Sequence, residues 1–261
     1  MLTDVDFLFA QPSGVSWIRD LPVQNQSVVD YNDHFYRSRL RALQGVDELV
    51  DGLVTRLEKS SQLDNTYIIY TSDNGFHIGQ HRLPPGKTCG FEEDVRVPLF
   101  IRGPGVAKGY VQDAVTTHVD LAPTLFHLAG IPARDDFDGT AIPVTPKFGG
   151  ERHEHVTVEY WGSAVVEGAY SGIGKSSQYW PSSLWKAIRD INSKTGPGGS
   201  TMIPNNTYKS VRLLGEGYNL YYSVWCNNEH ELYDLSVSKS YLGSFSYQRL
   251  ILLQDRPVPA E

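Results

Sequence analysis

The sequence predicts a mixed α/β protein with a long amphipathic helix, two strands flanking a polar loop, and a smaller antiparallel sheet near the C-terminus. The helix is predicted from apolar residues that recur at spacings of three and four across residues 31–60, with charges between them. The strands are predicted from short β-branched and aromatic runs bounded by turn residues. With 261 residues, 40% hydrophobic and 20% charged, the chain can bury one large core or two modest ones.

The long helix comes first. Its apolar stripe consists of Leu40, Leu43, Val46, Leu49, Val50, Leu53, Val54 and Leu57. We expect a surface helix that packs on the rest of the protein through this stripe. The following run Thr66–Thr71 (TYIIYT) predicts a short buried strand. A helix followed by a strand indicates an α/β layer.

The segment from Ser72 to Asp94 is polar and rich in glycine, which is typical of a loop and not of a core element. It leaves the C-terminal end of the first strand, where open α/β sheets place their sites. Val97–Arg102 predicts a second strand, closed by a Gly-Pro-Gly turn. Thr117–Gly130 predicts a helix that ends at its glycine.

The character of the chain changes beyond about residue 150. Strands are predicted at Val156–Trp161, Tyr208–Leu214 and Tyr218–Trp225, which indicates a second, smaller sheet. Residues 168–206 are rich in Gly, Ser, Pro, Tyr and Trp and are predicted to be irregular, as functional or mobile segments often are. We therefore expect a first domain at residues 1–150 and a second at residues 151–261.

Composition and charge limit the classes of partner that we expect for this chain. Lys and Arg total 23 against 30 for Asp and Glu, a net charge of −7, which excludes the basic field that nucleic acids or anionic lipids need. No apolar run approaches the roughly 20 residues that span a bilayer. We expect neither nucleic acid nor membrane as a partner, and the oligomeric state stays open.

The first residues do not resemble a signal peptide, since Asp4 and Asp6 stand where a basic and then apolar stretch is needed. Two glycosylation sequons, Asn25-Gln26-Ser27 and Asn205-Asn206-Thr207, point weakly to a secreted parent.

Two cysteines, Cys89 and Cys226, are compatible with one disulfide or with two thiols. Because Cys89 lies in the polar loop, it is either a nucleophile or a structural thiol. No recognisable motif positions a histidine beside it, which favours the structural thiol.

The sharpest chemical feature is the run Ser72-Asp73-Asn74-Gly75 directly after the first strand. Its carboxylate and amide oxygens suit Ca²⁺ or Mg²⁺, although Asp-Asn-Gly is also a common turn. Lys87 follows Asn74 by 13 positions, after a Pro-Pro-Gly turn. Beside a divalent cation it would neutralise the non-bridging oxygens of an ester-linked oxyanion; the alternative is a solvated surface lysine.

Two histidines, His77 and His81, lie four residues apart in the same loop. They are candidates for substrate contacts or general acids, or else hydrogen-bonded supports. Neither has the helical setting of a zinc-binding pair.

The loop and the strand after it, residues 72–105, resemble the second signature region of the sulfatases in the alkaline phosphatase superfamily. That region reads Asp-Asn-Gly, Gly-Glu-His, Gly-Lys, an acidic residue, Arg-Val-Pro-Leu and Gly-Pro-Gly. The resemblance extends to Arg39–Arg41 and Gly45–Val50 in the helix, to Thr117–Leu125 and to Glu229–Leu235. It covers about residues 30–235.

The resemblance implies part of an alkaline-phosphatase-like doubly wound sheet, with residues 1–150 forming the C-terminal part of the catalytic domain and residues 151–261 a smaller subdomain. The implied activity is hydrolysis of a sulfate monoester, and the implied partner is a sulfated small molecule or carbohydrate. The parent protein would be secreted, or lysosomal or vacuolar.

Carried over residue by residue, the resemblance implies that Asp73 and Asn74 are ligands of Ca²⁺, with Mg²⁺ as the alternative. Lys87 would contact the sulfate ester, and His81 would be a second catalytic-pocket residue, although Gln80 replaces the family's Glu. The residues that would brace the loop are Asp94 and Arg96.

The family's nucleophile is a formylglycine made from Cys or Ser in a Cys/Ser-x-Pro-x-Arg motif, and this motif does not occur in the 261 residues. Ala10–Gly14 resembles it only superficially. We therefore expect a truncated, inactive product that exposes an apolar sheet edge and helix faces and is marginally soluble. Two other functions stay open: a phosphoesterase or phosphonate hydrolase of the same superfamily, and a non-catalytic relic that binds ligand without turnover.

Overall fold

The computed structural model describes residues 15–19, 23–83, 85–145, 153–162, 164–165, 202–203, 206–236 and 249–250. Its helices are α1 (Ser16–Arg19), α2 (Gln26–Lys59), α3 (Glu92–Val95) and α4 (Leu121–Leu128). Its strands are β1 (Ile68–Thr71), β2 (Leu99–Arg102), β3 (His155–Tyr160), β4 (Ala164–Val165), β5 (Met202–Ile203), β6 (Tyr208–Gly215), β7 (Tyr218–Trp225), β8 (His230–Asp234) and β9 (Arg249–Leu250). The mixed α/β class predicted from the sequence is confirmed.

Helix α2 confirms the predicted long helix but begins five residues earlier than residue 31. Its start is set by Asn25, whose side-chain oxygen accepts the N–H of Val28 at 3.0 Å. This cap satisfies one of the backbone donors that have no partner within a first helical turn.

The expectation that α2 packs through its apolar stripe is wrong for most of the stripe. Leu40, Leu49 and Leu53 are 46%, 70% and 45% exposed. All residues of α2 are described, and Asn32 is the one that is buried. Helix α2 instead contacts the rest of the protein near its start. The predicted exposure of an apolar helix face is confirmed.

Replacing Leu49 by glutamine is therefore expected to change the free energy of unfolding by no more than about 0.5 kcal/mol, because the side chain already lies in solvent. Leu63, which is 9% exposed, provides the matched control. Its replacement by alanine should cost roughly 2 kcal/mol in a urea titration. A loss at Leu49 as large as that at Leu63 would contradict the exposed face.

Strands β1 and β2 form a two-stranded antiparallel sheet in which Thr71 lies opposite Leu99. The predicted burial of the first strand is wrong, because Tyr70 is 36% exposed. On the neighbouring strand β2, Phe100 is 66% exposed. The described part of this sheet has only these two strands, so each strand has one edge without a described partner strand. Since Thr71 and Leu99 pair, the polar loop leaves and returns at the same end of the sheet.

Helix α4 and the 3₁₀ turn before it confirm the helix predicted at residues 117–130. A capping box starts the turn, since the Asp120 carboxylate accepts the N–H of Thr117 at 2.8 Å. Gly130 follows the helix with a φ of 68°, a conformation that glycine adopts without steric cost.

The C-terminal strands form a five-stranded antiparallel sheet in the order β3-β6-β7-β8-β9. The three strands predicted there are confirmed to within one residue at each end. Most of the predicted irregular stretch 168–206, and the Ala10–Gly14 run, lie outside the described residues. No helix in the described ranges is both long and apolar enough to cross a membrane.

The buried core joins the polar loop to this sheet. Phe91, at the end of the loop, is 1% exposed and lies 6.1 Å from Tyr221, 6.4 Å from Trp225 and 6.2 Å from Tyr233 between ring centroids. Such aromatic pairs add to the stabilisation that burial gives. The loop thus packs on the five-stranded sheet through Phe91. The division into domains at residue 150 stays a prediction.

Candidate functional site

The loop between β1 and β2 is folded back on itself by one antiparallel bridge. The N–H of His77 donates to the carbonyl of Gly86 at 2.9 Å, and the N–H of Gly86 donates to the carbonyl of His77 at 3.0 Å. The two segments run in opposite directions across such a bridge, so Lys87, the residue after Gly86, lies opposite Phe76, the residue before His77. Lys87 thus lies next to a bridge whose other side leads back through Gly75 to the Asp73–Asn74 turn.

The Asp73–Asn74 turn is held by short local hydrogen bonds. An Asp73 carboxylate oxygen accepts the N–H of Asn74 at 2.9 Å, and the amide nitrogen of Asn74 donates to the carbonyl of Gly75 at 2.7 Å. Asp73 is exposed and Asn74 is half-buried. This bond uses the amide nitrogen of Asn74 and leaves its amide oxygen to act as an acceptor or ligand.

Helix α3 holds the residues that follow this turn through backbone hydrogen bonds. The N–H of Gly75 donates to the carbonyl of Asp94 at 2.7 Å, and the N–H of Phe76 donates to that of Glu93 at 2.8 Å. A Cβ atom at position 75 would lie 1.9 Å from the Glu93 carbonyl oxygen, which explains the glycine of the Asp-Asn-Gly run.

Asp94 braces the loop, as the sequence predicted. Its buried carboxylate contacts Nδ1 of His77 at 2.9 and 3.0 Å and accepts the N–H of Cys89 at 2.7 Å. A single side chain therefore links the segments on both sides of Lys87. Arg96, the other predicted brace, is mostly exposed and, among the described residues, pairs with Glu92 at 3.5 Å.

Backbone strain is concentrated in the same loop. His81, Arg82 and Thr88 have φ values of 54°, 61° and 85°, in the left-handed region that favours glycine. Such residues cost of order 1 kcal/mol or more each and persist where the surroundings fix them. Two of them flank the turn that delivers Lys87, as expected of a positioned functional group.

His81 packs against the loop. Its ring stacks on Phe91 with 4.0 Å between centroids, and its Nε2 lies 3.6 Å from a carboxylate oxygen of Glu93. Burial alone would raise the pKa of Glu93, but the nearby His81 imidazole lowers the pKa below its ordinary value. These contacts match the supporting role that the sequence left open for the loop histidines, and the catalytic role of His81 stays a prediction.

The five-stranded sheet fixes the far side of the loop. Arg212 on β6 donates through Nε to the buried Glu92 carboxylate at 2.8 Å. The amide nitrogen of Asn206 donates to the carbonyl of Thr88 at 2.8 Å, and Asn206 is fully buried. These bonds connect Lys87 and its turn to a sheet that is more than 100 residues away in sequence.

Neither cysteine forms a disulfide: Cys89 is buried and Cys226 is exposed. Burial, followed by the nearby Asp94, Glu231 and Glu93 carboxylates, raises the pKa of Cys89 well above its ordinary value. A thiol that stays protonated is a poor nucleophile, so the structural reading is favoured. Sequence reasoning missed that His77 lies beside Cys89, since their ligand atoms come within 4.8 Å of each other.

A maleimide reagent should accordingly modify Cys226 quickly and Cys89 only on unfolding. We expect one thiol to react in the native chain and two in denaturant. The Cys226→Ser variant should show almost no native reaction. Fast modification of that variant while it is folded would mean that Cys89 is not shielded.

This chain has relatives among known proteins. A family model described as Sulfatase matches residues 12–131. A protein named Sulfatase ppz1 from Metarhizium majus is 41% identical over 228 residues, which cover 87% of this chain and 42% of that protein. The chain belongs to the sulfatase family.

Other sulfatases match over most of the chain as well. An arylsulfatase of Chlamydomonas reinhardtii is 38% identical over 242 residues, covering 84% of this chain and 32% of its own length. An N-acetylglucosamine-6-sulfatase of Bos taurus is 33% identical over 258 residues, covering 89% and 42%. A Drosophila melanogaster protein named as an extracellular sulfatase is 47% identical over 104 residues, covering 40% and 9%. The chain thus spans less than half the length of each of these sulfatases.

Solved structures agree on the fold. One, described in complex with its substrate D-glucosamine-2-N,6-O-disulfate, matches with a TM-score of 0.59 and 23% identity over 82% of this chain and 36% of that chain. A phosphonate monoester hydrolase from Silicibacter pomeroyi matches with a TM-score of 0.51 and 20% identity over 73% and 33%. Both support the alkaline-phosphatase-like fold expected for a sulfatase.

Proposed function

We propose that the chain supplies the cation-binding and sulfate-ester-binding part of a sulfuric ester hydrolase. The observation that supports this proposal is the bridge between His77 and Gly86, because Lys87 directly follows it and the Asp73–Asn74 turn lies three residues before it. An anionic and amide pair beside a lysine suits a divalent cation together with the sulfate oxygens it would polarise. Membership of the sulfatase family supports the same chemistry.

The residues present fit the expected cation. Asp73 offers an exposed carboxylate, and the amide nitrogen of Asn74 is occupied by Gly75, which leaves an amide oxygen for the ion. Hard oxygen ligands of this kind favour Ca²⁺, with Mg²⁺ as the alternative. When bound, the cation would act as a Lewis acid that polarises the sulfate oxygens.

Lys87 and His81 would act on the ester itself. The Lys87 ammonium would bind the non-bridging oxygens and neutralise charge that builds up on them in the transition state. The His81 side chain, supported by Phe91 and Glu93, would line the pocket next to the leaving group. Both roles depend on the fixed geometry that Asp94 gives to the loop.

The residues of this chain do not fit the family's formylglycine. Cys89 is followed by Gly-Phe-Glu-Glu and Cys226 by Asn-Asn-Glu-His, so neither lies in a Cys-x-Pro-x-Arg motif. Cys89 is moreover buried. We assign no catalytic step to a formylglycine from these residues.

For the substrate we propose a sulfated carbohydrate, because the Bos taurus relative is named for N-acetylglucosamine 6-sulfate and matches 89% of this chain. An aryl sulfate is the other candidate, on the strength of the Chlamydomonas arylsulfatase. The names of extracellular relatives support a secreted protein.

A phosphonate monoester hydrolase is the second candidate function, favoured by the structural likeness to the Silicibacter enzyme. A chimera separates the two. Residues 30–235 would replace the aligned segment of the Chlamydomonas arylsulfatase, and the purified chimera would be assayed with an aryl sulfate, a glucosamine 6-sulfate and an aryl phosphonate monoester.

We expect turnover of a sulfate ester at least about 100-fold faster than that of the phosphonate ester, since the grafted loop would determine which oxyanion is bound. A preference for the phosphonate ester would overturn the proposal in favour of the second function. A folded chimera without turnover of any ester would indicate a relic binding module.

A further inference from the structure

A second group of metal-ligating side chains lies beneath the loop, apart from the Asp73–Asn74 turn. It consists of His77, Cys89 and Asp94, which are all buried. One ligand atom from each residue lies within 4.8 Å of the other two. Among the described residues, the three come from separate segments that the loop's hydrogen bonds join.

The distance between the histidine and aspartate ligand atoms is close to that expected around one small cation. Nδ1 of His77 lies 2.9 and 3.0 Å from the two carboxylate oxygens of Asp94. Ligand atoms around a tetrahedral Zn²⁺, with bonds of about 2.0–2.3 Å, are roughly 3.3–3.8 Å apart. The histidine and aspartate would therefore need to separate by only a few tenths of an ångström.

A fourth donor is available. The Asn206 side-chain oxygen lies 3.9 Å from the sulfur of Cys89. Its orientation is fixed because the amide nitrogen of Asn206 donates to the carbonyl of Thr88. Asn206 is 0% exposed, so its oxygen is held toward the cluster with no solvent shell to displace.

Charge and ligand type point to Zn²⁺ and away from Ca²⁺. A thiolate and a carboxylate carry two negative charges, which one divalent cation would neutralise in a buried site. Without a cation, burial and the neighbouring carboxylates keep the Cys89 thiol protonated by raising its pKa. Sulfur and imidazole ligands select zinc, whereas the oxygen ligands of Asp73 and Asn74 suit calcium.

We propose that His77, Cys89 and Asp94 form a buried site for Zn²⁺ that fastens the two sides of the loop below Lys87. The site is distinct in residues and in ligand chemistry from the proposed calcium site. Its function would be structural, because a bound cation would join the segments that Asp94 now links by hydrogen bonds.

Cobalt is a suitable spectroscopic probe, because Co²⁺ occupies zinc sites and a thiolate ligand gives it a charge-transfer band in the near ultraviolet. The metal would be titrated into the 261-residue chain carrying Cys226→Ser, so that the exposed thiol cannot contribute. We expect that band together with intense visible bands of four-coordinate cobalt, at one ion per chain. Adding Cys89→Ala should abolish the charge-transfer band while the circular dichroism spectrum stays unchanged.

Thermal unfolding gives a second, independent measurement. Zn²⁺ at about 100 times its dissociation constant should raise the Tm of the Cys226→Ser chain by roughly 5 °C. In the Asp73→Ala variant, which lacks a ligand of the proposed calcium site, Zn²⁺ should still raise the Tm. Ca²⁺ should not raise the Tm of that variant. Failure of the calcium proposal would therefore leave this result untouched.

The proposal is overturned if cobalt gives no thiolate band in the Cys226→Ser chain. It is overturned equally if Cys89→Ala leaves the band and the zinc-dependent Tm shift intact.

Discussion

Replacing Lys87 by alanine in the arylsulfatase chimera is expected to lower kcat for a sulfate ester by about 100-fold or more, because removal of one preorganised group that stabilises transition-state charge typically has this effect. Lys87 is half-buried and directly follows the bridge that pairs His77 with Gly86, so we expect its ammonium to be held in place. The effect should fall on kcat more than on KM, since the charge it stabilises grows in the transition state.

Two variants serve as controls for Lys87. Lys87→Arg keeps the charge but changes its shape, and we expect partial activity. Lys59→Ala, at the C-terminal end of α2, removes an exposed lysine far along the helix and should leave kcat unchanged. Equal activity of the Lys87→Ala and Lys59→Ala chimeras would return Lys87 to the surface-lysine reading.

Replacing Glu231 by glutamine is expected to lower the free energy of unfolding by about 2–4 kcal/mol. Glu231 is 0% exposed and lies in the five-stranded sheet. One carboxylate oxygen accepts the N–H of Val15 at 3.0 Å and the hydroxyl of Tyr233 at 2.9 Å. The other accepts the indole N–H of Trp225 at 3.0 Å and the hydroxyl of Ser223 at 3.2 Å.

All four partners of Glu231 act as donors, and two of them cannot do otherwise. The backbone N–H of Val15 and the indole N–H of Trp225 lie on different oxygens, so the amide group of a glutamine must face one of them. Burial and then the Glu231 charge also raise the pKa of Tyr233, which keeps its hydroxyl a donor. A glutamine of the same shape therefore leaves a buried donor without an acceptor.

Glu159→Gln is the matched control for this prediction. Glu159 is 46% exposed and pairs with Lys209 at 3.3 Å, so its replacement should cost no more than about 0.5 kcal/mol. Urea unfolding followed by tryptophan fluorescence measures both variants. If the Glu231→Gln chain were as stable as the Glu159→Gln chain, the four donors around residue 231 would not require a carboxylate, and the prediction would be wrong.

The fold was predictable where local patterns decide it. The strand Tyr218–Trp225 alternates in the sequence and has the predicted ends in the structure, and α2 follows its apolar spacing. The burial of that helix was not predictable, because Leu49 has the same pattern whether or not another surface covers it. Periodicity indicates which side is apolar, but not what packs against it.

The site was predictable in part. Asp73, Asn74 and Lys87 follow from a contiguous run of residues, and their roles stay a prediction; the structure adds the bridge between His77 and Gly86 that lies between them in the loop. The cluster of His77, Cys89 and Asp94 was missed because its members belong to no spaced motif. Hydrogen bonds of the folded loop, including those of the Asp94 carboxylate to His77 and Cys89, bring these residues together, and residue spacing does not reveal such bonds.

We expect the Asp73–Asn74 turn to bind a divalent cation that the hydrolysis of a sulfate ester requires. The most direct measurement is a Ca²⁺ titration of sulfatase activity in the chelator-treated chimera, with Asp73→Ala as the test variant. Asp136→Ala serves as the control, because it removes an exposed carboxylate that pairs only with Arg134 in the described structure.

We predict that Ca²⁺ restores activity in the unmodified and Asp136→Ala chimeras, and that Asp73→Ala raises the half-saturating Ca²⁺ concentration at least about 10-fold through loss of a charged ligand. Activity that does not depend on divalent cations, or a titration of Asp73→Ala that coincides with that of Asp136→Ala, would contradict the account.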